Sequence, residues 1–263
     1  MNRLWSILFL LVPVLGVASF GWAAATGIWL PKDVSDQGWR IDHLFYFILY
    51  LTGAVFIVTE GALFWFMWKY DAKHNQDPVQ YMHGSHYLEV VWTIIPAATL
   101  LFIAIYQMNA WADTKMRKPG MNPTLEVQAR QFEWRLRYPG PDKNGRFGNP
   151  DVLMGAPGDI WTVNDLHIPV NEDILVSLKT QDVLHSFFLP NMRVKQDAVP
   201  GMIIPVWFKA KETGVYDLPC AELCGWGHYK MKGRLTIESR AEYEAWLEKL
   251  YKEQTRTQDP KKE

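Results

Sequence analysis

Three long stretches almost empty of charge, Leu4 to Leu30, Leu44 to Trp68 and Val90 to Trp111, limit what this chain can fold into before anything else does. A helix needs ~20 apolar residues to cross roughly 30 Å of hydrocarbon, and each stretch supplies them. Only Glu60 interrupts the second. Tyr46, Trp65, Trp68 and Tyr70 flank that stretch, and Trp92 and Trp111 flank the third, as amphipathic rings do at the headgroup level. A buried helix of a soluble protein would be shorter and amphipathic. The expectation is therefore a transmembrane helical hairpin over residues 40–112. Residues 1–30 hold either a first transmembrane helix or a signal peptide, because Arg3 precedes the apolar run and Ala23, Ala24 and Ala25 offer a cleavage site. Either way the chain after the hairpin lies on the outer side. The loop charges run against this, since Lys115, Arg117 and Lys118 after the last span outnumber Lys69 and Lys73 between spans.

Lipid cannot be the only solvent, because 21% of the residues are charged and the mean hydropathy is -0.12. The 27 Lys and Arg against 28 Asp and Glu leave a net charge of -1, which gives no broad basic surface for a nucleic acid. The 13 Trp and the 49% hydrophobic fraction exclude a disordered chain. Residues 113–250 read as strands: 124–138, 160–166, 174–178, 203–208, 215–218 and 234–237 are rich in β-branched and aromatic residues, with Pro and Gly between them. The fold class expected is a membrane-anchored all-β protein, its soluble part a sandwich or Greek-key barrel. Ser239 reads as the N-cap of a closing helix, with Glu242 completing a capping box and Tyr243, Trp246, Leu247 and Leu250 forming its apolar stripe. From Lys249 the chain looks frayed, and residues 251–263 form a charged tail.

The chemistry concentrates in one segment. The chain has two cysteines, Cys220 and Cys224, followed by His228 and Met231 in a CxxxCxxxHxxM pattern. Two thiolates, an imidazole and a thioether are soft ligands, which select copper, zinc or iron-sulfur, and the thioether favours copper. A second imidazole has to come from elsewhere, and His185 closes an apolar run upstream. Two thiolates could bridge two coppers, with His185 and His228 as terminal ligands and Met231 and the Glu222 main-chain carbonyl as weak ones. A disulfide between the cysteines is the competing reading in an oxidising compartment. No CxxCH sequence is present to attach a haem. Two carboxyls stand in or beside the apolar stretches: Glu60, either neutral and bonded to a neighbouring helix or part of a proton relay, and Glu89, which opens the third stretch where the helix dipole favours a negative charge.

These residues resemble subunit II of the haem-copper oxygen reductases, the cytochrome c oxidases, over nearly all of residues 40–250. The resemblance rests on CxxxCxxxHxxM, on Asp182-Val183-Leu184-His185-Ser186, on Leu88-Glu89-Val90-Val91-Trp92-Thr93-Ile94-Ile95-Pro96 and on Lys195-Gln196-Asp197-Ala198-Val199-Pro200-Gly201. It implies a cupredoxin-like domain holding binuclear copper (CuA, two Cu) through His185, Cys220, the Glu222 carbonyl, Cys224, His228 and Met231. It implies magnesium at the subunit I boundary through the Glu222 side chain, and Glu89 at a proton-channel entrance. The partners implied are subunit I with the other oxidase subunits, a c-type cytochrome as donor, and the lipid bilayer of a bacterial inner membrane with the copper domain on the periplasmic side. Oxygen reduction and proton translocation belong to the complex, so this chain has no catalytic residue of its own. One departure stands out: the family places a tryptophan straight after a glutamine where electrons enter, and here the run is Gln131-Phe132-Glu133-Trp134. Phe132 occupies that position, and Trp134 is the other candidate. A copper-binding assembly or accessory protein and the CuA subunit of a nitric oxide reductase are the alternatives.

Overall fold

The computed structural model describes residues 3–78, 81, 83–141, 147 and 158–258. The chain divides into two compact units, one made of residues 1–31 and 42–109, the other of residues 32–41 and 110–263.

In the first unit lie most of three helices, α1 (Arg3–Ala25), α2 (Gly38–Lys69) and α3 (His86–Lys115), each long and apolar enough to cross a membrane. Large apolar side chains such as Val55, Ile57, Leu100, Leu101 and Ile105 are exposed on the free chain, a surface that needs lipid or another protein around it. α2 begins well before its charge-free stretch, because the Ser35 hydroxyl accepts the Gly38 amide at 2.8 Å and Asp33 holds the Ser35 hydroxyl at 2.9 Å. Glu60 lines a largely apolar cavity of about 750 Å³ between α1 and α2, with Val12, Pro13, Val17 and Ile57.

Among the described residues the second unit carries ten strands: β1 (Leu125–Arg130), β2 (Glu133–Tyr138), β3 (Ile160–Val163), β4 (Asp165–Pro169), β5 (Asp173–Thr180), β6 (His185–Leu189), β7 (Val194–Ala198), β8 (Ile204–Lys209), β9 (Gly214–Pro219) and β10 (Lys232–Glu238). They form sheets ordered β3-β2-β1-β5-β8, β4-β10-β9 and β6-β7. β1 runs parallel to β5, and β10 parallel to β4, among otherwise antiparallel pairs, the crossovers of a Greek key. Alternation decides which side faces in: Leu125, Val127 and Ala129 of β1 and Leu235 and Ile237 of β10 are buried, while Lys232 and Arg234 face out.

Three expectations need correction. The segment over 160–166 is not one strand but parts of two, β3 and β4, broken at Asn164, whose φ of 58 takes the backbone out of the extended region. The apolar segment over 124–138 is not one strand but a hairpin that turns at Gln131 and Phe132, where Gln131 donates its amide to Asp182 at 2.7 Å instead of to a ladder. The tail expected to fray from Lys249 is helical to Gln258, closing α4 (Arg240–Gln258). Gln254 explains part of this, since it accepts the Trp161 amide at 3.1 Å and donates to the Trp161 carbonyl at 2.6 Å. Tyr251 also packs against the core. Residues 259–263 lie outside the described residues. The capping box forms as expected, with Glu242 accepting the Ser239 amide at 2.9 Å and Ser239 accepting the Glu242 amide at 3.3 Å.

Candidate metal centre

Three chain segments converge at one end of the barrel. β6 opens on His185, the turn after β1 presents Gln131, and the loop from β9 to β10 carries Cys220 to Met231. The loop is closed at its base by the Cys220 amide donating to the Met231 carbonyl at 3.0 Å, and is tied to β6 by the Ala221 amide donating to the Ser186 carbonyl at 3.1 Å. A short 3-10 turn, His228–Lys230, brings the imidazole back towards the cysteines. Gly225 sits at φ +132, and a side chain there would stand 2.7 Å from the Gln131 amide nitrogen. Gln131 uses that nitrogen to hold the Cys224 carbonyl at 2.5 Å.

The donor atoms face one another. Cys220 Sγ lies 3.9 Å from His185 Nδ1, 4.0 Å from Cys224 Sγ and 3.2 Å from the Glu222 carbonyl oxygen. Cys224 Sγ lies 3.6 Å from His228 Nδ1 and 3.8 Å from Met231 Sδ. Both thiols are free, and their separation is about twice the roughly 2 Å of a disulfide bond. Cys220, Cys224, Met231 and His185 are all buried. The structure thus brings together every residue that the sequence pattern nominates as a ligand, Glu222 through its main chain.

Charge in the site is polarised between the two thiols. Burial opposes ionisation of Cys220, but hydrogen bonds from His185, from the Ser186 and Glu222 backbone and from His228 outweigh it and bring the thiol down to about 6. Cys224 moves the other way, pushed up to about 11 by burial and by the neighbouring Cys220 charge. Asp182 resists its own burial through the Gln131 amide, the His185 ring and the Val183 amide, so its carboxyl falls below the usual range. An ionised carboxylate can only accept. His185 Nε2, 2.8 Å from Asp182 Oδ1, is therefore the protonated nitrogen, and Nδ1 is left facing the sulfurs.

The other nominated residues lie elsewhere. Trp134 is 0% exposed, its ring centre 6.3 Å from that of His185 and 5.8 Å from that of Phe187. Burial keeps it from touching any docked protein. Phe132 is half-buried and meets Trp226 edge-on at 5.5 Å. The Glu222 carboxyl is partly exposed. Glu89, in the first turn of α3, is exposed with His86 Nδ1 3.6 Å away. Sequence reading missed Asp182, Gln131 and Trp226. The Asp182-x-x-His185 spacing was the available signal for the first; nothing in the sequence placed Gln131 beside Cys224.

Fold and site together define a membrane-anchored cupredoxin-like domain whose clustered thiols, imidazoles and thioether suit copper and one-electron transfer. Residues 147–238 match the family described as "Cytochrome C oxidase subunit II, periplasmic domain", and residues 23–110 match "Cytochrome C oxidase subunit II, transmembrane domain". The chain belongs to the cytochrome c oxidase subunit II family. It is 29% identical over 255 residues to "Cytochrome c oxidase subunit 2" of Thermostichus vulcanus, covering 82% of this chain and 77% of that one. It is also 29% identical over 247 residues to the protein of the same name from Cereibacter sphaeroides, covering 84% and 80%. A crystal structure of the periplasmic domain of the Bradyrhizobium japonicum subunit is 34% identical, with a TM-score of 0.41, over 51% of this chain and 97% of that one. The chain is thus a subunit of a haem-copper oxidoreductase, a membrane protein with a periplasmic copper domain, and the accessory-protein and nitric oxide reductase readings are not favoured.

Proposed function

We propose that this chain accepts single electrons from a c-type cytochrome at two coppers and delivers them to subunit I, where oxygen is reduced. The observation that carries the reading is the convergence of two thiols, two imidazole Nδ1 atoms and one thioether, each within 4.0 Å of a neighbouring donor. Cys220, Cys224, His185, His228, Met231 and the Glu222 carbonyl would hold the metals. Such a pair supplies a one-electron carrier that shares charge between two metals.

The protein's own groups do the rest. Asp182 orients the His185 ring through Nε2. Gln131 pins the Cys224 carbonyl and so fixes the loop. Trp134 and Phe187 close the apolar side behind His185, which excludes water and holds the ring in place. Burial of Cys220 and Cys224 limits how far their side chains can move when the charge of the centre changes. The Glu222 side chain is available to a harder cation, magnesium, at the subunit I boundary. We place the chain in a bacterial inner membrane, with the hairpin of α2 and α3 as its obligatory spans and α1 as a third span or a cleaved signal. Glu89 is proposed at the entrance of a proton path, supported by its exposed position beside His86.

Metal analysis and electron paramagnetic resonance of the purified oxidase test the reading. Two coppers in this subunit, with an unpaired electron divided equally between them, are expected. One localised copper, or none, would overturn it.

A further inference from the structure

The copper-ligand loop exposes its large apolar side chains and buries its sulfurs. Leu223, Trp226 and Tyr229 are 77%, 78% and 80% exposed, and each lies within two positions of a proposed ligand. Three large apolar side chains exposed on one short loop are a cluster, not scattered single residues, and such clusters mark interaction surfaces. Trp226 is also held in place. Its ring meets Phe132 edge-on at 5.5 Å, and Phe132 is wedged over the loop so closely that a side chain at Gly227 would come within 2.5 Å of its ring. The Lys230 ammonium lies 4.6 Å from the Trp226 ring centre, a cation–π contact, and no carboxylate pairs with Lys230 among the described residues.

We infer that Trp226 is the residue through which electrons enter, with Phe132 as the wedge that positions it. The inference rests on the donor reading above and deepens it. Trp134 cannot make the contact because it is 0% exposed. Phe132 has the family's usual position but is half-buried behind Trp226. Trp226 stands two residues from Cys224 and two from His228, so its backbone leads directly to two proposed ligands.

The occupant is a haem-bearing cytochrome whose exposed haem edge meets the indole. One electron leaves its ferrous iron, which becomes ferric, and arrives at the copper centre, with no proton or bond exchanged. Charge identifies the donor's contact face. The Lys230 cation beside Trp226, paired with no carboxylate among the described residues, calls for an acidic group on the partner, and an apolar centre with a single charge at its edge suits a small, transient interface.

The test uses the whole oxidase with Trp226→Ala, Trp226→Phe and Lys230→Glu variants. Affinity for an oxidised, soluble monohaem cytochrome c with an acidic haem-edge face is measured without turnover. The rate of copper reduction is followed in stopped flow with the reduced cytochrome and, separately, with hexaammineruthenium(II), which needs no docking surface. Trp226→Ala should weaken cytochrome binding and slow its reaction at least about tenfold, the size of an interface hot spot. Trp226→Phe should recover most of the loss, Lys230→Glu should reverse the salt dependence, and the ruthenium rate should stay unchanged. Unaltered cytochrome binding and rate would overturn the inference. So would equal losses with ruthenium, which report a distorted loop, or failure of Trp226→Ala to assemble, which puts the indole against a partner subunit. If wild-type oxidase is not reduced by the cytochrome at all, the donor reading itself falls; a reduced wild type with indifferent variants removes only the role of Trp226.

Discussion

Replacing Asp182 by Asn or by Ala tests the carboxylate that orients His185 at the metal centre. Its carboxylate accepts three N–H groups: His185 Nε2 at 2.8 Å and the Val183 amide at 2.7 Å on one oxygen, and the Gln131 amide at 2.7 Å on the other. A carboxamide has one oxygen and one NH₂. With its oxygen kept on the His185 and Val183 side, the NH₂ opposes the Gln131 amide and one hydrogen bond is lost; the opposite flip loses two. Each hydrogen bond to a charged group contributes about 1.5–3 kcal/mol, less where water can substitute, and Asp182 is partly exposed. Groups that orient a metal-bound histidine typically change metal affinity about 10–100-fold, or about 1.4–2.8 kcal/mol. The Asn variant should fall near the lower end, about tenfold, because His185 keeps its acceptor. Asp182→Ala, which leaves Nε2 without one, should reach about 100-fold. Copper occupancy of the assembled oxidase at a series of chelator-buffered free copper concentrations, read from the near-infrared absorption, measures the effect. If both variants hold copper within about twofold of wild type, Asp182 does not orient the ligand.

Other outcomes test separate parts of the structure. Cys224→Ser replaces one bridging sulfur by a hydroxyl and should abolish the signal of an electron shared between two coppers; persistence of that signal would disprove the bridge. Trp134→Ala opens a cavity in the fully buried core and should cost about 3–5 kcal/mol of stability, with loss of copper, because the ring supports His185. Full copper content in a stable Trp134→Ala variant with slowed electron uptake would make Trp134 a relay instead of a support. Hydrogen bonds from the Ser239 hydroxyl and amide hold the Glu242 carboxyl below its usual 4.5. Its contribution to the first turn of α4 is therefore present above that value and lost as pH falls through the folded-state value. Hydrogen exchange of α4 should show the first turn loosening in acid, and Glu242→Gln should remove that sensitivity; an unchanged profile would deny the capping box a role.

What the sequence determined by itself was whatever local pattern controls. Charge-free length marked the helical hairpin and a further apolar segment, left open as a span or a signal, because a lipid core leaves a polar backbone no partner outside its own helix. Alternation marked most of the strands, and Ser239 with Glu242 marked the start of α4, since capping depends on neighbours three residues apart. The soft donors Cys220, Cys224, His228 and Met231 were legible because one loop carries them, and His185 because a copper site of this type needs a second imidazole. The end of α4 was not legible: its last turns are charged, and they stay helical because Gln254 and Tyr251 find Trp161 and the core far away in sequence.

Exposure was decided by the tertiary structure alone. Trp134 and Trp226 are the same residue type, each close in sequence to residues of the metal site, yet one is sealed in the core and the other faces water. That difference depends on Trp134 packing beside His185 and Phe187 in the core while Trp226 meets Phe132, relations between segments that no periodicity encodes. The same holds for Gln131 and Cys224, 93 positions apart in sequence and 2.5 Å apart in space. Residue types and spacing established which chemistry the chain could hold. Only the folding of distant segments onto one another decided which side chains orient it and which one meets a partner.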